Sequence, residues 1–453
     1  MSALPDLSIP EAASALRQRQ ISSVELTEAC LARIDARDPT YRSFVHVAAE
    51  QALAAARAAD AALARGEELG PLHGIPIGIK DLFDTADMPT TYGSDVFSGH
   101  RPQADAAVVA RLRAGGAVIL GKLETYEFAM VGPVFDRSTP PAANPWKPDR
   151  FTGGSSSGSA AAVAGGLLRT ALGSDTGGSV RSPAAYCGVV GFKPTYSALP
   201  LDGVFPLSPS FDHVGFLSAS VTEALLTFDA ISGRAEKLAG NPLPDLTGIR
   251  VGYARNWFAV DPQTHPAMLP ALDAAASLFS LLGARVEEIP LPDVSQFEAA
   301  GAVIIHAEAY AGHKALMAQH GERYSRKVFQ NILSGLLLDE TDLETARQAA
   351  VRLTGQVDAH FQSGHDVILT ANTLTPALPF SDFQTEAAVW TPMRTLAFNV
   401  TGHPVFALPA GFHEGLPLGL QLVGPRHGEA HLGAIAQAYE AATDFAAIKP
   451  PLP

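Results

Sequence analysis

Two segments rich in glycine and serine stand close together in this chain: Gly153-Gly154-Ser155-Ser156-Ser157-Gly158-Ser159 and Gly173-Ser174-Asp175-Thr176-Gly177-Gly178-Ser179-Val180-Arg181. Such composition usually marks a flexible linker. Here the apolar run Ala160-Ala161-Ala162-Val163-Ala164-Gly165-Gly166-Leu167-Leu168 follows the first segment at once. That run suits a buried small-residue helix packed tightly against a sheet, so the two segments belong to a core. In the second, Thr176, Gly177 and Gly178 precede the hydroxyl of Ser179. A turn of small residues can aim several backbone N–H groups at one point, as stabilising the oxyanion of a tetrahedral intermediate requires. The glycine spacing matches neither the phosphate-loop nor the dinucleotide-binding pattern, which argues against nucleotide binding.

A serine is a weak nucleophile at neutral pH without a base in reach. Lys80 is the upstream candidate, at the end of the strand-like run Gly74-Ile75-Pro76-Ile77-Gly78-Ile79-Lys80-Asp81. Most lysines lie at the surface. A lysine delivered into the interior loses its preference for the charged form, and catalytic lysines are commonly tuned to roughly 7–8 from about 10.4. A neutral Lys80 can then take the proton of Ser179 through a bridging serine of the first segment. Asp175 and Arg181 flank the nucleophile turn, where a carboxylate and a guanidinium are expected to brace the loop by charge-assisted hydrogen bonds rather than transfer protons.

The pattern continues through Pro183-Ala184-Ala185-Tyr186-Cys187-Gly188-Val189-Val190-Gly191-Phe192-Lys193-Pro194-Thr195. Over that length the chain resembles the amidase signature family of serine hydrolases. The resemblance implies an α/β fold with a mixed central sheet covered by helices on both faces. It implies Ser179 as nucleophile, Ser155 as the bridging serine beside a cis peptide, and Lys80 as base, with the oxyanion held by amides of Thr176, Gly177, Gly178 and Ser179. No metal or cofactor is implied. Two positions depart from the family pattern: Ser197 stands where glycine is usual and Phe216 where proline is usual, which bears on local loop geometry. With Lys80 as base, His213 is expected to be a structural hydrogen-bonding residue.

Base and nucleophile come from distant parts of the chain and must share one site, so the 453 residues are expected to form one large unit. Its sections are a helical N-terminal part (1–70), a catalytic core (71–237), a helix-rich pocket section (238–404) and closing strands (405–453). Two helices are expected over Ile9 to Arg37, with Ser22-Ser23-Val24-Glu25 as a start signal. Further helices are expected over Ala48 to Arg65, Ala106 to Ala114 and the stretch Ala302 to Leu353, and a buried strand over Ala117 to Leu120. Alternation of strands and helices gives the α/β class independently of the resemblance.

The net charge of −14 carries no Lys/Arg block, which argues against nucleic-acid binding. The N-terminus shows no signal pattern and no apolar stretch reaches about 20 residues, so a cytoplasmic protein without membrane contact is expected. Cys30 and Cys187 read as reduced packing residues.

The expected reaction is hydrolysis of a C–N bond beside a carbonyl, in a carboxamide, anilide or carbamate (urethane), with esters as a side activity. The resemblance places Met130, Val131, Gly132 and Pro133 near the pocket wall; Thr373, Trp390, Met393 and Arg394 are further candidates, the last three offering the aromatic, flexible and cationic contacts from which small-molecule pockets are built. An apolar wall favours neutral or aromatic small molecules. Two alternatives stand beside this: a glutaminase component of a tRNA-dependent amidotransferase, although no glutamine-recognition pattern is evident, and a non-catalytic binding protein with the same fold. Self-association is compatible with the sequence but not specified by it.

Overall fold

A computed structural model of the chain describes residues 4–67, 69–234, 237–239 and 243–453. The stretch joining the second and third sections thus lies partly outside the described residues. In chain order the strands are β1 (Phe44–Val47), β2 (Pro76–Lys80), β3 (Val118–Leu123), β4 (Ala143–Asn144), β5 (Lys147–Phe151), β6 (Thr170–Ser174), β7 (Val190–Lys193), β8 (Val214–Ser218), β9 (Arg250–Tyr253), β10 (Arg285–Glu288), β11 (Val367–Ala371), β12 (Val405–His413) and β13 (Leu416–Val423). Eleven of them join one sheet, ordered β1-β3-β2-β6-β8-β7-β12-β13-β11-β9-β10, while β4 and β5 pair separately. The sheet is mixed: β2 runs parallel to both β3 and β6, whereas β6 is antiparallel to β8. Strands β2, β3, β6, β7 and β8 are buried along their whole length. Strands buried on both faces need cover on both, which the flanking helices supply.

The N-terminal helices span Ile9–Arg17 and Ser23–Tyr41, the second opened by a capping box between Ser22 and Glu25. It runs past Arg37 and through Pro39, stopping where Arg42 turns left-handed at φ 53°. The next helices, Ala49–Ala64 and Ala107–Ala114, fall where the periodicity places them. The strand expected at 117–120 continues to Leu123, because Gly121–Leu123 find partners on both β1 and β2. The small-residue helix covers Ser157–Ala164 and not the later part of the apolar run, since Gly165 and Gly166 (φ +69°) end it. Its first turn packs so closely that a Cβ on Gly158 would lie 2.4 Å from Glu124 N and Ser43 O.

The third section supplies helices Val294–His320, Arg326–Leu333 and Glu340–Gln362. The tail forms the hairpin of β12 and β13 inside the sheet. Phe216 lies in no loop: it pairs with Leu172 on one side and Phe192 on the other, fully buried in a central strand. No helix of the described residues is long and apolar enough to cross a membrane.

Candidate active site

Lys80 and Ser174 are the last residues of the parallel neighbours β2 and β6, so their side chains meet at one end of the sheet. Lys80 Nζ donates to Ser155 Oγ at 2.7 Å and to Ser174 Oγ at 2.8 Å. Burial pushes the Lys80 ammonium down to about 7 from its ordinary 10.5, against the opposing pull of Asp175, Glu124 and Asp212. A lysine in this state exchanges a proton readily near neutral pH.

The three consecutive serines are sorted by their contacts. Ser155 takes Lys80; Ser156 Oγ donates to Ser174 O at 3.2 Å; Ser157 Oγ donates to the Glu124 carboxylate. The Gly154–Ser155 peptide bond is cis. Ser156 N donates to Ser179 O at 3.1 Å, which lays the first segment alongside the second. Ser155 and Ser179 line the same cleft, together with Thr176, Gly177 and Gly178.

The Asp175–Arg181 loop is clamped from several directions. Arg181 Nε and Nη2 reach the two Asp175 carboxylate oxygens at 3.0 and 2.8 Å, both side chains being fully buried. Burial alone would raise the Asp175 carboxyl, yet the Arg181 charge and hydrogen bonds hold it well below the usual range. The remaining Arg181 donors go to Thr395 O, Gln421 Oε1 and Asn399 Oδ1 at 2.7, 2.9 and 2.6 Å. Asp175 also accepts from Asn399 Nδ2 and from the amides of Gly178 and Val180. Thr176 Oγ1 donates to Asp212 at 2.5 Å, and Thr395 Oγ1 to Gly177 O at 2.7 Å. Gly178 takes φ +124° with a Cβ position 2.1 Å from Thr395 Oγ1, so no side chain fits there.

One expectation about this loop changes. The Gly178 N–H is directed to Asp175 Oδ1 at 3.0 Å rather than to the cleft. The amides of Thr176, Gly177 and Ser179 make no hydrogen bond among the described residues.

His213 is buried, with Nδ1 2.6 Å from Phe211 O and Nε2 3.2 Å from Lys193 Nζ; burial and the Lys193 charge push it well below its ordinary value. It packs beneath the loop, away from the cleft lining. Cys30 and Cys187 are free and buried, and burial raises both thiols, Cys30 to about 12. Among the described residues no three His, Cys, Asp or Glu side chains gather as metal ligands would.

Residues 25–432 match the family model Amidase. The chain belongs to the amidase signature family. It is accordingly a member of a family of C–N hydrolases. A glutamyl-tRNA(Gln) amidotransferase component from Chloroflexus aggregans is 36% identical over 488 aligned positions, covering 100% of this chain and 99% of that protein. Against the 453 residues here, that alignment length means the relative carries segments this chain lacks. Of solved structures, a crystal structure of an amidase superposes with a TM-score of 0.88 at 31% identity, covering 96% of this chain and 99% of the other. The corresponding glutamyl-tRNA(Gln) amidotransferase component of Thermotoga maritima gives 0.80 at 28%, covering 96% and 95%.

On this amidase signature frame the pocket candidates divide. Met130, Val131, Gly132, Trp390 and Met393 line the cleft; Pro133 and Thr373 do not. Pro133 is buried behind Gly132, and Thr373 is enclosed with its hydroxyl on Thr375 O. Arg394 belongs to an adjoining outer chamber, where it is tied to Asp261, to Trp257 O at 2.6 Å and to Met393 O at 2.9 Å. Sequence reasoning passed over Ser174, Asp212, Thr395 and Asn399 as anchors, and Tyr126 and Ile305 as cleft wall. Ser174 alone had a local signal, since it ends the apolar run preceding Asp175.

Proposed function

We propose that the chain is an amidase acting on neutral carboxamides, anilides or carbamates through an acyl-enzyme on Ser179. The observation that carries this reading is the buried Lys80, held near neutrality and hydrogen-bonded to Ser155 at the wall of the cleft that Ser179 faces. Once neutral, Lys80 presents its lone pair to the Ser155 hydroxyl while still donating to Ser174. Ser179 Oγ attacks the carbonyl carbon, and its proton passes to Ser155 as the Ser155 proton passes to Lys80. The free amides of Thr176, Gly177 and Ser179 hold the oxyanion. Lys80 then returns a proton through Ser155 to the departing nitrogen, which an amide needs because an amine leaves poorly as an anion. Water attacks the acyl carbon while its proton passes through Ser155 to Lys80; that proton returns to Ser179 Oγ as the bond from Ser179 to the acyl carbon breaks and the acid leaves.

The neutral-substrate preference rests on the lining: none of the cleft residues is Asp, Glu, Lys, Arg or His. A second reading, the glutaminase component of a tRNA-dependent amidotransferase, is favoured by the full-length 36% identity to the Chloroflexus aggregans protein. Glutamine brings an α-ammonium and an α-carboxylate, and a cleft without charged side chains offers neither a partner.

The test is a panel of anilide, aliphatic amide, aryl carbamate, nitrophenyl ester and glutamine, given to the protein and to Ser179→Ala. Amine release from anilide or carbamate, lowered at least about 10⁴-fold in the variant, is the expected result. Turnover confined to glutamine would replace the first reading with the second.

A further inference from the structure

The cleft is not the whole cavity. It adjoins a second chamber that shares Gly177, Ile305, Trp390, Thr391 and Met393 as a common wall. The chamber is larger, about 1460 Å³ of free space against about 660 Å³ with both mouths included. Cleft walls such as Tyr126, Met130, Phe151 and Leu207 are buried, whereas the chamber is rimmed by exposed residues, among them Gln263, Asp293 and Glu298. The reacting serine thus sits in an inner compartment that borders an outer one across this wall.

Trp390 stands on the shared wall and is 57% exposed, the only tryptophan of the three that does not bury its ring. Trp146 and Trp257 are 7% and 3% exposed and donate their indole N–H to Cys187 O and Pro292 O. A large apolar ring left in contact with water at a cavity junction is available to cover a ligand.

The charges of the chamber set what that ligand is not. Asp261, Asp293 and Glu298 line it with a single guanidinium, Arg394. That guanidinium is already committed to Asp261, Trp257 O and Met393 O, with Glu298 a further 3.8 Å away. The one imidazole of the lining, His306, has Nδ1 on Ala302 O at 2.8 Å. A substrate carboxylate entering here would meet surplus negative charge and no free guanidinium or ammonium.

The sequence of bond-breaking in the reaction assigns the halves. The acyl group stays on Ser179 while the amine departs first, so the amine needs the compartment that leads outward. Resting on the amidase reading above, we propose that Trp390 is a specificity-determining residue and that the outer chamber takes the amine half of the substrate, an uncharged N-aryl or N-arylalkyl group packed on the indole. The substrate class is therefore a secondary amide or carbamate whose amine side carries a ring and no carboxylate, rather than a primary amide that releases ammonia.

The experiment compares three amides with one common acyl group: the primary amide, the N-benzyl amide and the N-(4-carboxybenzyl) amide. For the unaltered protein kcat/KM is expected to be highest for the N-benzyl amide and at least about tenfold lower for its carboxylated counterpart. In Trp390→Ala the ratio of N-benzyl to primary amide falls at least about tenfold, carried by KM, and Trp390→Phe restores part of it. A ratio unmoved in Trp390→Ala, or equal turnover of the two benzyl amides, overturns the assignment while leaving the amidase reading intact. Absence of turnover of all three by the unaltered protein, alongside turnover of glutamine, overturns both.

Discussion

The loop Asp175–Arg181 and the wall segment Trp390–Leu396 touch the same cleft and are built on opposite principles. In the loop, Asp175, Thr176 and Arg181 each have directed partners, and the partners come from residues as distant as Asn399 and Gln421. In the wall, Trp390 and Met393 face the cleft by apolar contact, with the indole more than half exposed. The segment even combines the two: Thr395, two residues beyond Met393, lines the outer chamber and also donates to Gly177 O. Acyl transfer depends on donors fixed to fractions of an ångström, so the loop is over-determined. Selection among neutral substrates depends on shape and apolar area, which tolerates change.

The strongest way to break this comparison is Lys80→Met. Loss of the base is expected to lower kcat/KM about 10³-fold, and the residual rate should lose the limb that rises through about pH 7 in the unaltered protein. The same substitution is expected to stabilise the fold in a pH-dependent way. Lys80 lies below its ordinary 10.5 when folded, so between about 7 and 10.5 the unfolded chain binds more protons and stability rises with pH. The gain in Lys80→Met is therefore largest at pH 7 and below, and shrinks toward pH 10. Urea unfolding of both proteins at pH 6.5 and 9.5 checks it; a gain that grows with pH would show that Lys80 is not held neutral by burial.

Next comes Asp175→Asn. Removing the carboxylate leaves the Arg181 charge fully buried without its counter-ion, at a cost of about 3–5 kcal/mol. The exposed Trp390→Ala is expected to move stability by no more than about 0.5 kcal/mol. Two unfolding curves in urea that shift equally would erase the distinction between clamped loop and free wall.

That distinction also explains what was legible in the sequence. The glycines and serines of the loop carry their own geometry in their residue types: only glycine fits against Thr395 at Gly178, and a hydroxyl after small residues announces itself. Lys80 was legible because apolar neighbours deliver it inward. The mixed sheet was expected from the family resemblance, while the α/β class and several helices followed from periodicity, which failed where Pro39 is absorbed into a last helical turn and where Gly165 cuts an apolar run short. The partners of the loop were not legible, since Asp212, Thr395 and Asn399 approach only through the sheet order. Pro133 and Thr373 fall outside both cavities for the same reason: which side of an irregular segment faces a cavity is decided by tertiary packing, and nothing local records it.

A smaller effect sharpens the account of the base. In the proposed mechanism Ser174 acts as a positioning residue, one of two hydroxyls that accept from Lys80 Nζ. In Ser174→Ala the loss of one acceptor is expected to lower kcat/KM roughly tenfold with KM little changed. Because that hydroxyl favours the charged ammonium, its removal should move the rising limb of the pH profile to lower pH. Ser174→Thr should restore both. A fall in activity with an unmoved limb would assign Ser174 to packing alone.

The smallest effect concerns a position where this chain departs from the family pattern. Ser197 is exposed and left-handed, at φ 62°, in a turn held by the bond from Ala198 N to Thr195 O at 3.0 Å. A residue with a Cβ is disfavoured in that conformation by about 1 kcal/mol, whereas glycine enters it freely. Glycine also loses more backbone freedom on folding, so Ser197→Gly is expected to stabilise by no more than about 1 kcal/mol. The preceding Tyr196 lies edge-on to His213, 5.5 Å between ring centroids, and His213 is the backbone partner of Asp175. The turn therefore abuts the underside of the catalytic loop, yet kcat/KM should not change in Ser197→Gly, because the loop is fixed by Arg181, Asn399 and Asp212 rather than by this contact. A rate change without a matching stability change would show that the clamp extends to the turn after β7.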